Sequence, residues 1–145
     1  MFGDLLKRLT QPDPPQLPDG DARLALTALL VRVARSDNDY APAEVDRIDR
    51  IISQRYGLSP FQAVELRGQA ETLETQAPDT VRFTRAIKDA VPYEDRRSVV
   101  EALWAVVLVD GERTQEEDAL LRLVASLLGV NDVDSAVARH QAAQE

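Results

Sequence analysis

A chain of 145 residues with 44% hydrophobic and 29% charged content suits one domain, which at this size buries roughly two-thirds of its unfolded surface. Its net charge of −8 and its lack of any lysine or arginine cluster make nucleic acid and anionic membrane surfaces poor partners. With no cysteine, disulfides, thiolate metal sites, iron–sulfur ligation and redox-active thiols are excluded.

Met1 to Leu9 reads as a short amphipathic helix, with Phe2, Leu5, Leu6 and Leu9 able to dock on the body or on a partner. It lacks the continuous apolar core of a signal peptide, so a cytoplasmic protein is expected. Residues 11–19 hold four of the eight prolines. Residues 1–19 are therefore expected to be a helix plus a Pro-rich linker, and residues 20–145 the helical body. From Asp21 onward no stretch alternates with period 2.

Leu24 to Ala34 is almost wholly apolar and predicts a helix buried on most sides. Pro42 stands at a first helical position, and Val45, Ile48, Ile51, Ile52 and Tyr56 mark one face of a helix that Gly57 ends. Ser59 as N-cap, followed by Pro60, opens a helix reaching about Gln76, with Phe61, Val64, Leu66 and Leu73 expected inward. Asp79 caps a shorter helix carrying Val81, Phe83, Ile87 and Val91, stopped by Pro92. Val99 to Val109 is a second apolar stretch, with Trp104 expected in the core. Glu101 breaks it, and it falls short of the ~20 residues a membrane span needs. Thr114-Gln115-Glu116-Glu117 has the capping-box form. It starts a helix with Leu120, Leu121, Leu123, Val124, Leu127 and Leu128 inward, closed by Gly129. Asn131 or Asp132 opens the last helix.

Two acidic turns stand in matched places. Asp37-Asn38-Asp39 is followed by Glu44, and Asp110-Gly111-Glu112 by Glu117, each Glu seven positions beyond the first Asp. At an offset of 73, Ile48 also falls on Leu121 and Ile51 on Val124, with a slip of one before Gly57 and Gly129. Residues 24–66 and 99–140 thus form a twofold internal repeat, whose halves are expected to pack with pseudo-twofold symmetry and to bring the acidic turns together. Clustered carboxylates raise one another's pKa unless water or a cation offsets the repulsion. One reading is a shared site for a hard divalent cation, Ca²⁺ or Mg²⁺, with Asp37, Glu44, Asp110 and Glu117 as ligands and Asp39 and Glu112 as auxiliary ones. In the other, Glu117 completes a capping box with Thr114, and Glu44 favours the positive end of its own helix. An EF-hand is excluded. It needs Gly at the sixth loop position and Glu at the twelfth, where this chain has Pro42 and Ile48, or Gln115 and Leu121.

His140, the sole histidine, has no nucleophile motif near it and reads as a surface residue. Asp46-Arg47 and Asp49-Arg50 read as a solvated helix face, with ion pairs worth about a few tenths of a kcal/mol. Arg82, Arg85, Lys88, Arg96 and Arg97, five of the seventeen lysines and arginines, flank Pro92-Tyr93 and read as a scattered solvated surface that could meet the acidic turns of a second molecule.

At its turns the chain resembles the TerB family of tellurite-resistance-associated proteins. The matching signal is an apolar helix ending in Asp110-Gly111-Glu112, then Glu116-Glu117-Asp118 leading an apolar helix that closes at Leu128-Gly129. The first half looks like the same element with Asn38 in place of the glycine, which the left-handed tolerance of Asn allows. The resemblance covers about residues 22–140. It implies an all-α domain of about seven or eight helices, a metal site built from acidic turn residues, and a role in tellurite resistance or stress response. The expectation is a non-enzymatic protein with a divalent cation, protein partners and room for homo-oligomerisation, but no nucleic-acid partner and no stable membrane insertion. The alternative is an acidic protein-interaction scaffold with no metal site. A metal-dependent hydrolase is a third reading, for which no general base or oxyanion group suggests itself.

Overall fold

The computed structural model describes residues 3–9, 19–36, 40–108 and 115–143. Among the described residues there are eight α-helices and no strand, as the absence of period-2 alternation predicts. In chain order they are α1 (Gly3–Leu9), α2 (Asp19–Ala34), α3 (Pro42–Tyr56), α4 (Pro60–Gln76), α5 (Thr80–Ala90), α6 (Tyr93–Val107), α7 (Gln115–Leu127) and α8 (Asp132–Ala143).

The two apolar stretches become the centre. In α2, Ala25 and Leu26 and then every residue from Ala28 to Val31 are buried, and in α6 the run from Ala102 to Val106, Trp104 included. A helix apolar all round has no face that favours water, so other helices must cover it. The two pack on each other. α2 packs most extensively on α4, and both helices bury small residues, Ala25 and Ala28 in α2 and Ala63 and Ala70 in α4. The one buried hydroxyl of α2, on Thr27, donates to the Arg23 carbonyl at 2.7 Å, one turn back. Thr84 in α5 does likewise, to Thr80 at 2.6 Å. Neither polar group is therefore left unbonded in the core.

Neighbour relations repeat along the chain. α2 packs on α3 and most extensively on α4; α6 packs on α7 and most extensively on α8. α3 also touches α6, and α7 touches α2. α5, lying between the two series in sequence, packs on α7 and on α1. Leu5 of α1 is 5% exposed, so the N-terminal helix uses an apolar residue to sit on the body.

Helix ends follow local chemistry. Gly57 and Gly129 take positive φ, 65° and 74°, and the residue after each donates back to the carbonyl five positions earlier, Leu58 to Ser53 and Val130 to Ala125. Both are left-handed closures of the kind glycine favours. Ser59 accepts from the Gln62 N–H at 3.2 Å while Gln62 Oε1 accepts from Ser59 N–H at 2.9 Å, a full capping box. Asp79 caps α5 through the Arg82 N–H, and Asn131 caps α8 through the Asp134 N–H.

Several inward assignments are corrected. Phe61 is 76% exposed and Val64 50%, whereas Ala63, Ala70 and Leu73 form the buried face of α4. Val81 and Leu123 are likewise exposed. In each case the position on the helix, not the size of the side chain, decides burial.

Candidate functional site

Ala41 is the N-cap of α3 and makes no side-chain cap bond. Pro42 follows, where its missing N–H costs nothing and its fixed φ suits the first turn. Two residues on, Glu44 lies near the positive end of the helix dipole, which favours a carboxylate. Ala41 has no hydroxyl, so Glu44 is not half of a capping box. Although Pro42 and Ala43 are exposed, Glu44 is only 3% exposed. A buried carboxylate demands compensation from charge or hydrogen bonding.

The neighbouring end of this corner is held by polar contacts that the sequence reading missed. Arg67 of α4 donates through Nε to Asp49 Oδ1 of α3 at 2.5 Å and through Nη1 to Glu71 Oε2 at 3.2 Å. Asp49 is thus corrected from a solvated position to a partly buried ion pair. Burial by itself lowers the Arg67 guanidinium, but its hydrogen bond and charge interaction with Asp49, backed by Glu71, outweigh that and raise it. Tyr40, just before the corner, has its phenol raised by burial first and then by the Glu71 carboxylate. The Arg35 guanidinium covers its ring at 5.0 Å. The Arg67–Glu71 spacing of four was legible as a helix pair. Asp49 and Arg67, on either side of the Gly57 closure, share no periodicity that links them.

Arg35 and Arg32 also fix the end of α2. Both bond to the Glu74 carboxylate, at 3.1 and 3.2 Å, and Arg32 reaches the Pro78 carbonyl at 2.8 Å. Its guanidinium lies over Phe83 at 5.1 Å. One arginine therefore joins α2, the end of α4 and α5 just ahead of the first acidic turn.

Of the six carboxylates predicted as metal ligands, Glu44 is the one whose side chain is described. Asp37, Asp39, Asp110 and Glu112 lie outside the described residues. Glu117 stands in the first turn of α7, and its side chain also lies outside them. Among the described residues no three of His, Cys, Asp and Glu form a group that could hold a metal ion. The donor chemistry of the six is all oxygen, which fits a hard cation, and an inward-turned Glu44 fits one of its ligands.

Among the described residues no helix is long and apolar enough to cross a membrane. Curated proteins and solved structures yield no match to the chain. A family model described as tellurite resistance protein TerB matches residues 23–140. That span runs from α2 to α8 and contains both acidic turns. On a match over most of its length, the chain belongs to the TerB family of tellurite resistance proteins.

Proposed function

We propose that this TerB protein is a non-enzymatic, cytoplasmic binder of a divalent cation, Ca²⁺ or Mg²⁺, and serves a tellurite-resistance or stress-response system. The ligands are Asp37, Glu44, Asp110 and Glu117, with Asp39 and Glu112 in support. The observation that carries this reading is Glu44, a carboxylate 3% exposed directly after the exposed Pro42 and Ala43. The repeated neighbour relations of α2–α4 and α6–α8 support the expectation that the two acidic corners are related by a local twofold. Bound there, a cation supplies positive charge that neutralises facing carboxylates and fixes the angle between the halves. The protein's own contribution is to hold Glu44 inward, and the Arg67 and Glu74 ion pairs set the corner on rigid helices.

Melting curves with EDTA, Ca²⁺, Mg²⁺ and Mn²⁺ test it. Binding to the folded state alone adds about 2.7 kcal/mol of stability when ligand stands at a hundred times its Kd. The melting temperature is expected to rise with one of the ions and the rise to vanish in Glu44→Gln. A wild-type curve indifferent to every ion would refute the site.

A second reading has its own observation. Phe61 and Val64 on α4 and Val133 and Val137 on α8 are exposed by 76%, 50%, 72% and 46%. Exposed apolar pairs on corresponding helices favour an interaction scaffold that recruits protein partners or a second copy. Sedimentation of wild type against Phe61→Ser with Val133→Ser separates these occupants: only self-association shifts in the absence of other proteins.

A further inference from the structure

The two halves treat one matched position differently. With α3 laid on α7 at an offset of 73 and α4 on α8 at 72, Ile48 falls on Leu121 and Ala70 on Ala142, all of them buried. Gly57 falls on Gly129, both at positive φ. Ser59 falls on Asn131, and each N-cap accepts from the backbone three residues on. Arg67, held by Asp49 and Glu71, falls on Arg139. Its two partners fall on Arg122 and Ala143. The arginine is kept and both of its carboxylates are gone, one of them replaced by a second arginine.

Where those carboxylates would be, the surface is open. A groove of about 590 Å³ lies between α7 and α8 against α6, lined by Trp104, Arg122, Ser126, Ser135, Arg139 and His140, with Ala143 at its edge. That volume suits a small molecule. The Arg139 and Arg122 guanidiniums stand 5.2 and 5.9 Å from the centre of the Trp104 ring. Among the described residues that line the groove none is acidic. Asp118 accepts from Arg122 Nε at 2.9 Å, one of the five N–H donors a guanidinium carries. Among the described residues no carboxylate bonds to Arg139. In a chain of net charge −8, these two guanidiniums are a local concentration of positive charge with Asp118 as the carboxylate bonded to one of them. Planar guanidiniums match the paired oxygens of phosphate and carboxylate. The two serine hydroxyls add donors, while Ala125, Val130 and Ala136 offer an apolar wall.

We propose that this groove binds a small dianion, a phosphomonoester or a dicarboxylate, in the place that Asp49 and Glu71 hold beside Arg67. Its lining includes none of the six predicted cation ligands, and it does not rest on the cation reading. Isothermal titration of the intact chain with phenyl phosphate, inorganic phosphate and succinate tests it. Trp104 is the single tryptophan, so its emission reports occupancy of the groove. Saturable heat and a matching emission change are expected with at least one probe, and the phosphate and succinate arms decide the headgroup. Phenyl phosphate should exceed inorganic phosphate because of the apolar wall. Arg139→Gln should weaken binding tenfold or more. Arg122→Asp should abolish it by giving Arg139 the partner that Arg67 has, without lowering the melting temperature. Arg85→Gln, exposed on α5 and outside the groove lining, should bind as wild type. The proposal is overturned if wild type binds none of the probes, if Arg139→Gln binds them undiminished, or if Arg85→Gln loses as much as Arg139→Gln. Should Arg122→Asp fail to fold, Arg139→Gln still decides.

Discussion

Glu74 serves two arginines at once, with 15% of its side chain exposed against 13% for Arg32 and 33% for Arg35. Removing its carboxylate takes the charged partner from both guanidiniums, Arg32 keeping only backbone carbonyls, and breaking a buried pair from one side costs about 3–5 kcal/mol. Because Arg35 is a third exposed and screened by water, the lower end is expected: Glu74→Ala should cost about 3 kcal/mol in urea unfolding. A loss under 1 kcal/mol would show that water replaces the carboxylate freely. The three tyrosines allow a second check. Tyr40 and Tyr56 are raised chiefly by burial, and Tyr93 chiefly by its hydrogen bond to Asp134 at 2.5 Å. A phenol raised on folding ionises first in the unfolded chain. Its stabilising share is thus intact below the unfolded value of about 10 and lost as pH climbs through the folded one. Phenolate absorbance of the native protein should lag behind that of the urea-unfolded chain, and coincident curves would contradict the assignment. Little of this was legible beforehand. Tyr40 and Glu74 carry no local pattern, Arg67 shows only its spacing to Glu71, and only the folded chain brings the other partners from α3, α4 and α2.

At the scale of elements the legible part was large, because helix ends are written in a few residue types. Ser59-Pro60, Asp79, Pro92 and the two closing glycines each act where the sequence places them, since caps and left-handed closures are local chemistry. Ser59→Ala should cost about 1 kcal/mol in a denaturant titration. Gly57→Ala should cost about 1–2 kcal/mol, because its left-handed backbone is strained for any β-carbon although nothing within 4 Å obstructs one. Equal stability of Gly57→Ala and wild type would mean that the turn readjusts. Faces were less legible than ends. Phe61 and Val64 look like core residues, but the helix start sets which side of α4 meets α2, and that side carries Ala63, Ala70 and Leu73. Large apolar residues are common on surfaces, so residue type alone could not assign them.

For the molecule as a whole, two nearly all-apolar helices announced the centre in the sequence, and α2 and α6 do pack there. The matched turns were equally plain, but of their carboxylates Glu44 alone has a described side chain, so their chemistry still rests on the cation melting curves. α2 of one half is covered in part by α6 and α7 of the other, and α6 in return by α3. Neither half can bury its own most apolar helix alone. A protein of this size is expected to unfold in one cooperative step, and calorimetry resolving two steps would deny the shared core.

That mutual covering has a consequence for cutting the chain. The link from Ala77 to Asp79 joins α4 to α5 beside the Glu74 cluster, and severing it removes no helix. Each fragment on its own keeps a long greasy rod only partly wrapped and should aggregate. Mixed before collapse, the two should reassemble into one helical body, so that solubility of either piece becomes a titration of the other.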